Sequence, residues 1–528
     1  MSEKGSFYRK VSYMVVLAVL LFPISWLGAP SSLEDDGGRL ASLRGEYHLG
    51  QANLGDIDPA SETMRLATLG MRGIAVAMMT RKANEYKMKE DWTNYRATLR
   101  QLSKLQPYFI TFWRFQAWNL TYNVSVELDA VKDRYYYVKR GIEFLKEGIK
   151  YNRNSPYLLG ELGWFTGNKI GRADEHELYR KLFKADEDYH ADHPNRDLKE
   201  RDNWLVSKYW YDRAIAAVDD KGKSMGNKNP TVFYASPAMA QINYSEAIGK
   251  EGTFGERAKT AWAEAAQLWN DYGTREMKSS RGFDIRLVDL QRWQDESLQL
   301  QSELEELVPG TVKKLLVERA ESLTPEQRIA VEVPAGLRTD EQRELAAEAR
   351  VDLLIGPQDV ATAIAESSPD LAAKARKLAS RIGDNRSRIA MILSNRGVAN
   401  FEYWETRCKY EQTVEVRNAR ELAWDARQAF RDDGDLLEAK RLYQRSFDLW
   451  ADVLTKFPEL PDDTTTGSDL MEYIDQYTRV LDQLDQSLSD PEVGDSFPLW
   501  EIIEANDDER KYVEVILERK GRLESQEP

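Results

Sequence analysis

The stretch RELAWDARQAFRDDGDLLEAKRLYQRSFDLWADVLTKFP, residues 420–458, decides the fold. Two apolar-periodic runs meet at Gly434, and Ala439, Tyr443 and Ser446 recur at helical spacing in the second run. The pattern predicts two short antiparallel helices that bury small residues where they cross. Such a pair cannot bury its apolar face alone and must stack on neighbours. An all-α chain of helical hairpins follows, and it implies a binding scaffold more readily than an enzyme.

Working outward, almost everything after residue 60 reads helical, with Gly and Pro between periodic stretches. Residues 62–84 form a first helix with Leu66, Leu69, Gly70, Gly73 and Ala77 near one face, the glycines implying close helix approach. Residues 91–106 form the next, carrying Tyr95, Leu99 and Leu102 and stopped by Pro107, which lacks a donor and clashes with the preceding turn. Trp113 and Ala117 open another hairpin, interrupted by an insertion at 123–133. Gly141, Leu145 and Gly148 resume the pattern, residues 152–156 turn, and Leu162-Gly163 begins the following unit. A fourth pair is expected from helices at 207–218 and 258–269, joined by a long loop rich in Gly, Lys and Asn.

The middle region differs. Residues 285–307 form a charged helix with Leu287, Leu290, Leu298, Leu304 and Leu307 as its apolar set. Residues 323–382 are rich in Ala and Leu, and 384–430 reads as one long helix or two, so the region resembles an antiparallel hairpin or a spacer arm. Two more helices follow near 468–488 and 499–520. The expected organisation is an anchor at 1–32, a repeat domain at 33–270, a long-helix region at 271–417 and a C-terminal repeat-like region at 418–528.

Residues 95–171 resemble the tetratricopeptide (TPR) superfamily: Leu or Trp with a small residue on the first helix, Ala or Gly with Tyr or Leu on the second, and Pro at the exit. The stretches 113–122, 141–148 and 159–165 also resemble uncharacterised membrane-anchored proteins of planctomycete-type bacteria, some labelled "iron responsive element". That label names an RNA element, and no residue here supports it. The resemblance implies an α-solenoid outside the cytoplasm and no activity. The insertion at 123–133 and the absence of proline directly after Trp450 depart from the repeat pattern and soften its boundaries.

The chain has 528 residues, too many for one compact core. Its net charge of −15 excludes nucleic acid as an expected partner, because phosphate binding needs a basic surface. The single cysteine, Cys408, forms no internal disulfide and no Cys-based zinc site. Lys4, Arg9 and Lys10 precede an uncharged apolar run at 11–29, about the 20 residues that span a bilayer. Glu34, Asp35 and Asp36 follow it. Basic before and acidic after predicts a cytoplasmic N-terminus with the bulk of the chain in the periplasm. Cleavage of a signal peptide is the alternative, disfavoured by Pro30 just past the small residues.

No Walker loop, Rossmann fingerprint, HExxH or GxSxG occurs, and neither catalytic residues nor a cofactor are expected. The candidate binding residues are Trp113, Trp118, Tyr122, Trp164 and Trp210. Aromatics at helical spacing are usually core, and the alternative is a concave groove that receives a protein partner of the cell envelope, or a glycan. A second candidate is a metal centre at His176, Asp186, Glu187, His190 and His193, since Glu187 and His190 share a helix face as Glu-x-x-His ligands do. Against it stands a solvated helix end. Asn119-Leu-Thr and Asn123-Val-Ser match the glycosylation acceptor pattern by chance on a helix and its exit.

Overall fold

The computed structural model describes residues 72–191, 197–279, 282–461 and 463–526, with isolated positions between 13 and 43. The protein is all-α apart from one two-residue antiparallel hairpin, β1 (Met277–Lys278) with β2 (Asp284–Ile285), among the described residues. Its contacts divide it into two units, 1–228 and 229–528. The division falls inside the stretch expected as one repeat domain, 33–270.

The first unit is a run of helix pairs. Helices α1 (Arg72–Met88) and α2 (Trp92–Leu105) form the first. Asp91 caps α2, accepting from the Asn94 amide at 3.2 Å. Helix α3 (Ile110–Trp118) runs on through a π-helical turn at Asn119–Val124 and pairs with α4 (Val131–Tyr151). The expected insertion is therefore the end of a lengthened first helix and the turn after it. Helix α5 (Pro156–Trp164), also extended by a π turn at Phe165–Lys169, pairs with α8 (Asn203–Asp219). Between them lie α6 (His176–Lys184) and α7 (Glu187–His190).

The second unit opens with α9 (Pro230–Lys250) against α10 (Glu256–Thr274). Helix α9 fills most of the expected long loop, and the helices at 207–218 and 258–269 belong to different hairpins. Helix α11 (Leu290–Leu307) returns along α16 (Ala372–Ala399). Arg396 reaches the Leu287 carbonyl at 2.8 Å, Arg388 stands over Trp293 and Arg381 pairs with Glu296 at 3.0 Å, so the two helices are antiparallel. Four shorter helices, α12 (Thr311–Ser322), α13 (Pro325–Glu332), α14 (Asp340–Asp352) and α15 (Pro357–Ser367), connect their far ends. Asn400 in the left-handed region ends α16, and α17 (Phe401–Tyr410) follows, so 384–430 is three helices.

Helices α18 (Val414–Gln428) and α19 (Leu436–Lys456) are the hairpin expected at 420–458. Gly434 sits at φ +69° in the turn, and Ser446 donates to the Ala419 carbonyl at 2.7 Å across the crossing. Helices α20 (Thr464–Gln483), α21 (Pro491–Gly494), α22 (Trp500–Asn506) and α23 (Val513–Gln526) complete the chain. No division falls at 417. There Arg407 pairs with Glu246 at 3.1 Å and Asp469 at 3.5 Å, while Arg420 grips Glu411 at 2.7 Å, joining α9, α17, α18 and α20 through buried charge.

Among the described residues no helix is long and apolar enough to cross a membrane. The expected anchor at 11–29 lies for the most part outside them, as do Leu66 and Gly70. At Gly73, by contrast, an added Cβ would meet nothing within 4 Å among the described residues, so none of the described helices approaches it closely. Gly141 does sit at a close approach, since its Cβ would lie 2.8 Å from the Ala117 carbonyl oxygen and against Thr121. Gly141→Ala is therefore expected to destabilise the fold by about 1–3 kcal/mol, the cost of overpacking. Gly73→Ala should be neutral or stabilising by up to about 1 kcal/mol. Urea unfolding of the two variants checks both signs.

Candidate functional site

Of the five aromatic residues expected to bind, the structure brings three together. Trp118 near the end of α3 stacks beside Tyr122 in the π turn, centroids 6.0 Å apart and planes 21° from parallel. Tyr122 in turn stacks beside Trp164 of α5 at 5.5 Å and 28°. The Lys169 ammonium stands 4.9 Å from the centre of the Tyr122 ring. Burial lowers the Lys169 pKa and pushes the Tyr122 phenol up, and the Tyr122 hydroxyl is buried without a hydrogen-bond partner.

The face continues on both helices. Phe115 lies one turn before Trp118 and is 58% exposed. Beside it Arg114 faces Glu161 of α5 at 3.6 Å and stands over Tyr157, and Lys228 reaches the other Glu161 oxygen at 3.8 Å. Trp118 and Trp164, each 41% exposed, are the only exposed tryptophans among the described residues. The only exposed phenylalanines among them, Phe109 and Phe115, are on or next to α3. Phe115 belongs to the same aromatic run in sequence but not to the five expected binding residues, and Glu161 and Lys228 were not expected. The i, i+3, i+7 spacing of Phe115, Trp118 and Tyr122 carried the signal for the first of them.

Trp113 and Trp210 do not join this face. Trp113 is fully buried, stacked on Tyr151 at 5.7 Å, with its indole N–H donating to the Pro107 carbonyl at 2.7 Å. Trp210 is buried on α8 beneath the Arg213 guanidinium. Asn119 is buried too: it accepts from Lys87 at 3.0 Å and donates to the Tyr95 hydroxyl, which leaves its amide no room to be a glycosylation acceptor.

Among the described residues the expected metal centre is not assembled: no group of three His, Cys, Asp or Glu side chains converges. His190 is buried against Phe183 and Tyr189 with Nε2 2.9 Å from the Phe183 carbonyl, a contact that requires the proton on Nε2. His176 binds the Ala173 carbonyl through Nδ1 at 2.9 Å. Asp186 caps α7 and takes Lys139 at 2.7 Å, and Glu187 takes Arg201 at 2.6 Å, an ion pair that lowers its pKa. His193 lies outside the described residues. The acids thus hold the inserted segment in place, alongside the buried Arg180–Asp202 pair at 2.7 Å.

Cys408 is buried in α17, and burial pushes its thiol up to about 12. A thiolate is the reactive form, so the folded chain at pH 8 should resist alkylation and react stoichiometrically only after unfolding in urea. Rapid labelling of the folded chain, read by mass spectrometry, would contradict this burial. No known protein family, curated protein or solved structure matches this chain.

Proposed function

We propose that this chain is a membrane-anchored, extracytoplasmic scaffold of TPR-like helical hairpins that binds a protein partner of the cell envelope through the face of Phe115, Trp118, Tyr122 and Trp164. The observation that carries the reading is that the two exposed tryptophans among the described residues stand in one ring stack. Large apolar rings gathered on a surface are costly in water and mark interaction sites. Aromatic anchors within a polar rim are the anatomy of protein interfaces, and Arg114, Glu161, Lys169 and Lys228 supply that rim. Tyr122 has its neighbours on both sides and a cation over its ring, which favours an occupant that packs from the outside over a sugar that stacks on each ring in turn. The anchor and the side of the membrane rest on the run at 11–29 and its flanking charges.

Trp118→Ala with Trp164→Ala tests the face. Both positions are half exposed and stacked on Tyr122, so stability should fall by about 1–2 kcal/mol per site, well short of the roughly 3–5 kcal/mol lost at a fully buried tryptophan. Tagged full-length chain, cross-linked in intact cells and captured from solubilised membranes, should recover a small reproducible set of envelope proteins, and the double variant should lose it at least tenfold. Recovery of the same set by the variant removes the reading, and capture of glycan by the purified chain, abolished by the same substitutions, replaces it. A reporter fused after Pro528 is expected to be active only outside the cytoplasm.

A further inference from the structure

Away from the aromatic face, α2 and α4 border a groove of about 790 Å³ that α7 closes on one side. These are second helices of their hairpins; the groove takes Leu120 from the π turn that extends α3 but none of Phe115, Trp118, Tyr122 and Trp164. In a chain of net charge −15 its walls are cationic: Arg96 and Arg100 on α2, Arg140, Lys146 and Lys150 on α4. Arg96, Arg100 and Lys150 make no ion pair among the described residues. Of the acids on the walls, Glu143 is taken by Arg140 at 2.7 Å and Asp188 lies 3.8 Å from Lys139, which leaves Glu147 alone against the three cations that have no acid partner.

At one end of the groove two guanidiniums converge on a single phenol. Arg96 donates to the Tyr136 hydroxyl at 2.8 Å, and Arg140 stands 5.0 Å from the same ring. The Nε of each arginine is buried with no hydrogen-bond partner. Hydrogen bonding from Arg140 and Arg96 holds the Tyr136 phenol below its usual range, as a cationic pocket should. The floor between the two ends is apolar, made by Leu99, Leu120 and Phe144.

We infer that this groove binds an extended acidic peptide, with one carboxylate at the Arg96–Arg140 end, apolar side chains on the Leu99–Phe144 floor, and a second carboxylate at Arg100 or Lys150. Arginine pairs take carboxylates in planar, two-point fashion. Arg140 and Lys150 are separated by about 15 Å of helix at 1.5 Å per residue, which an extended chain rising about 3.3 Å per residue covers in roughly five residues. A free phosphate would engage the cations at one end only, whereas an extended chain with two carboxylates engages both ends at once, which is why a peptide is the better occupant.

The test uses the full-length chain in detergent and a fluorescein-labelled octapeptide with Glu near each end and Leu between, read by anisotropy. The expected result is saturable binding that weakens at least tenfold when both Glu are replaced by Gln and falls steeply with added salt. Arg100→Glu with Lys150→Glu, at two exposed positions without partners, should weaken it at least tenfold while leaving the melting temperature in place. Arg96→Gln should do the same from the other end. Equal affinity for the Glu and Gln peptides, or affinity unchanged in the Arg100→Glu, Lys150→Glu variant, overturns the proposal. So does an absence of peptide binding up to about 1 mM when inorganic phosphate protects the chain against thermal unfolding, the outcome that assigns the groove to a small anion.

Discussion

An aromatic ring laid on a glycine backbone is the contact on which the hairpins of α3 with α4 and of α5 with α8 depend. In α3 and α4 the ring is Trp113 and the glycine is Gly148, where an added Cβ would lie 2.7 Å from the indole. In α5 and α8 the roles reverse: Gly163 meets Tyr211, and Gly167 and Gly171 meet Trp204. In the second unit Gly273 meets Phe401. Glycine is a poor helix residue, and it is tolerated here because the missing side chain admits a whole ring and its many dispersion contacts. Trp113 adds a directional term. Its N–H and the Asn152 amide both donate to the Pro107 carbonyl, at 2.7 and 2.8 Å, so the entry and exit turns of one hairpin are tied to a single atom.

That contact also decides which aromatic rings are left outside. Five residues of α-helix rotate the chain by about 140° beyond a full turn. With Trp113 turned inward onto Gly148, Trp118 cannot share its side and emerges at the surface. The exposed face of α3 is thus a geometric consequence of the buried one, and Phe115 and Tyr122 extend it because they keep register with Trp118. Trp164 meets the same stripe because α5 packs beside α3.

Much of this was legible in the residues. The turn at Gly434, the stop at Pro107 and the pairing of Gly141 and Gly148 with the helix bearing Trp113 all carry a local steric reason. The aromatic candidates were legible only as a set: the five-residue step from Trp113 to Trp118 already forbade a common face, and ignoring it grouped a core ring with surface ones. Helix α9 was hidden for another reason. It carries Pro237 inside it and buries residues on most of its circumference, from Phe233 and Ala235 to Tyr244 and Ile248, so no polar stripe marks its period. The His and acid cluster misled because Glu-x-x-His spacing says nothing of partners. Lys139 and Arg201, distant in sequence from their acids, take the charges that a metal would need.

A chain of two-helix units has a property that neither helix has alone. First and second helices pack against each other, so their remaining free sides look away from one another across the layer. In the first unit α3 and α5 carry exposed rings within a charged rim, whereas α2 and α4 carry arginines and lysines around an apolar floor. The exposed cations of the groove and the exposed rings of the face belong to different residues and can be altered separately, whereas the groove floor cannot, because Phe144 packs on Trp113. That separation is what a scaffold requires if it is to hold an apolar partner and an acidic chain at once. In a chain of net charge −15, the cations gathered in this one groove concentrate a positive potential where the arginines stand.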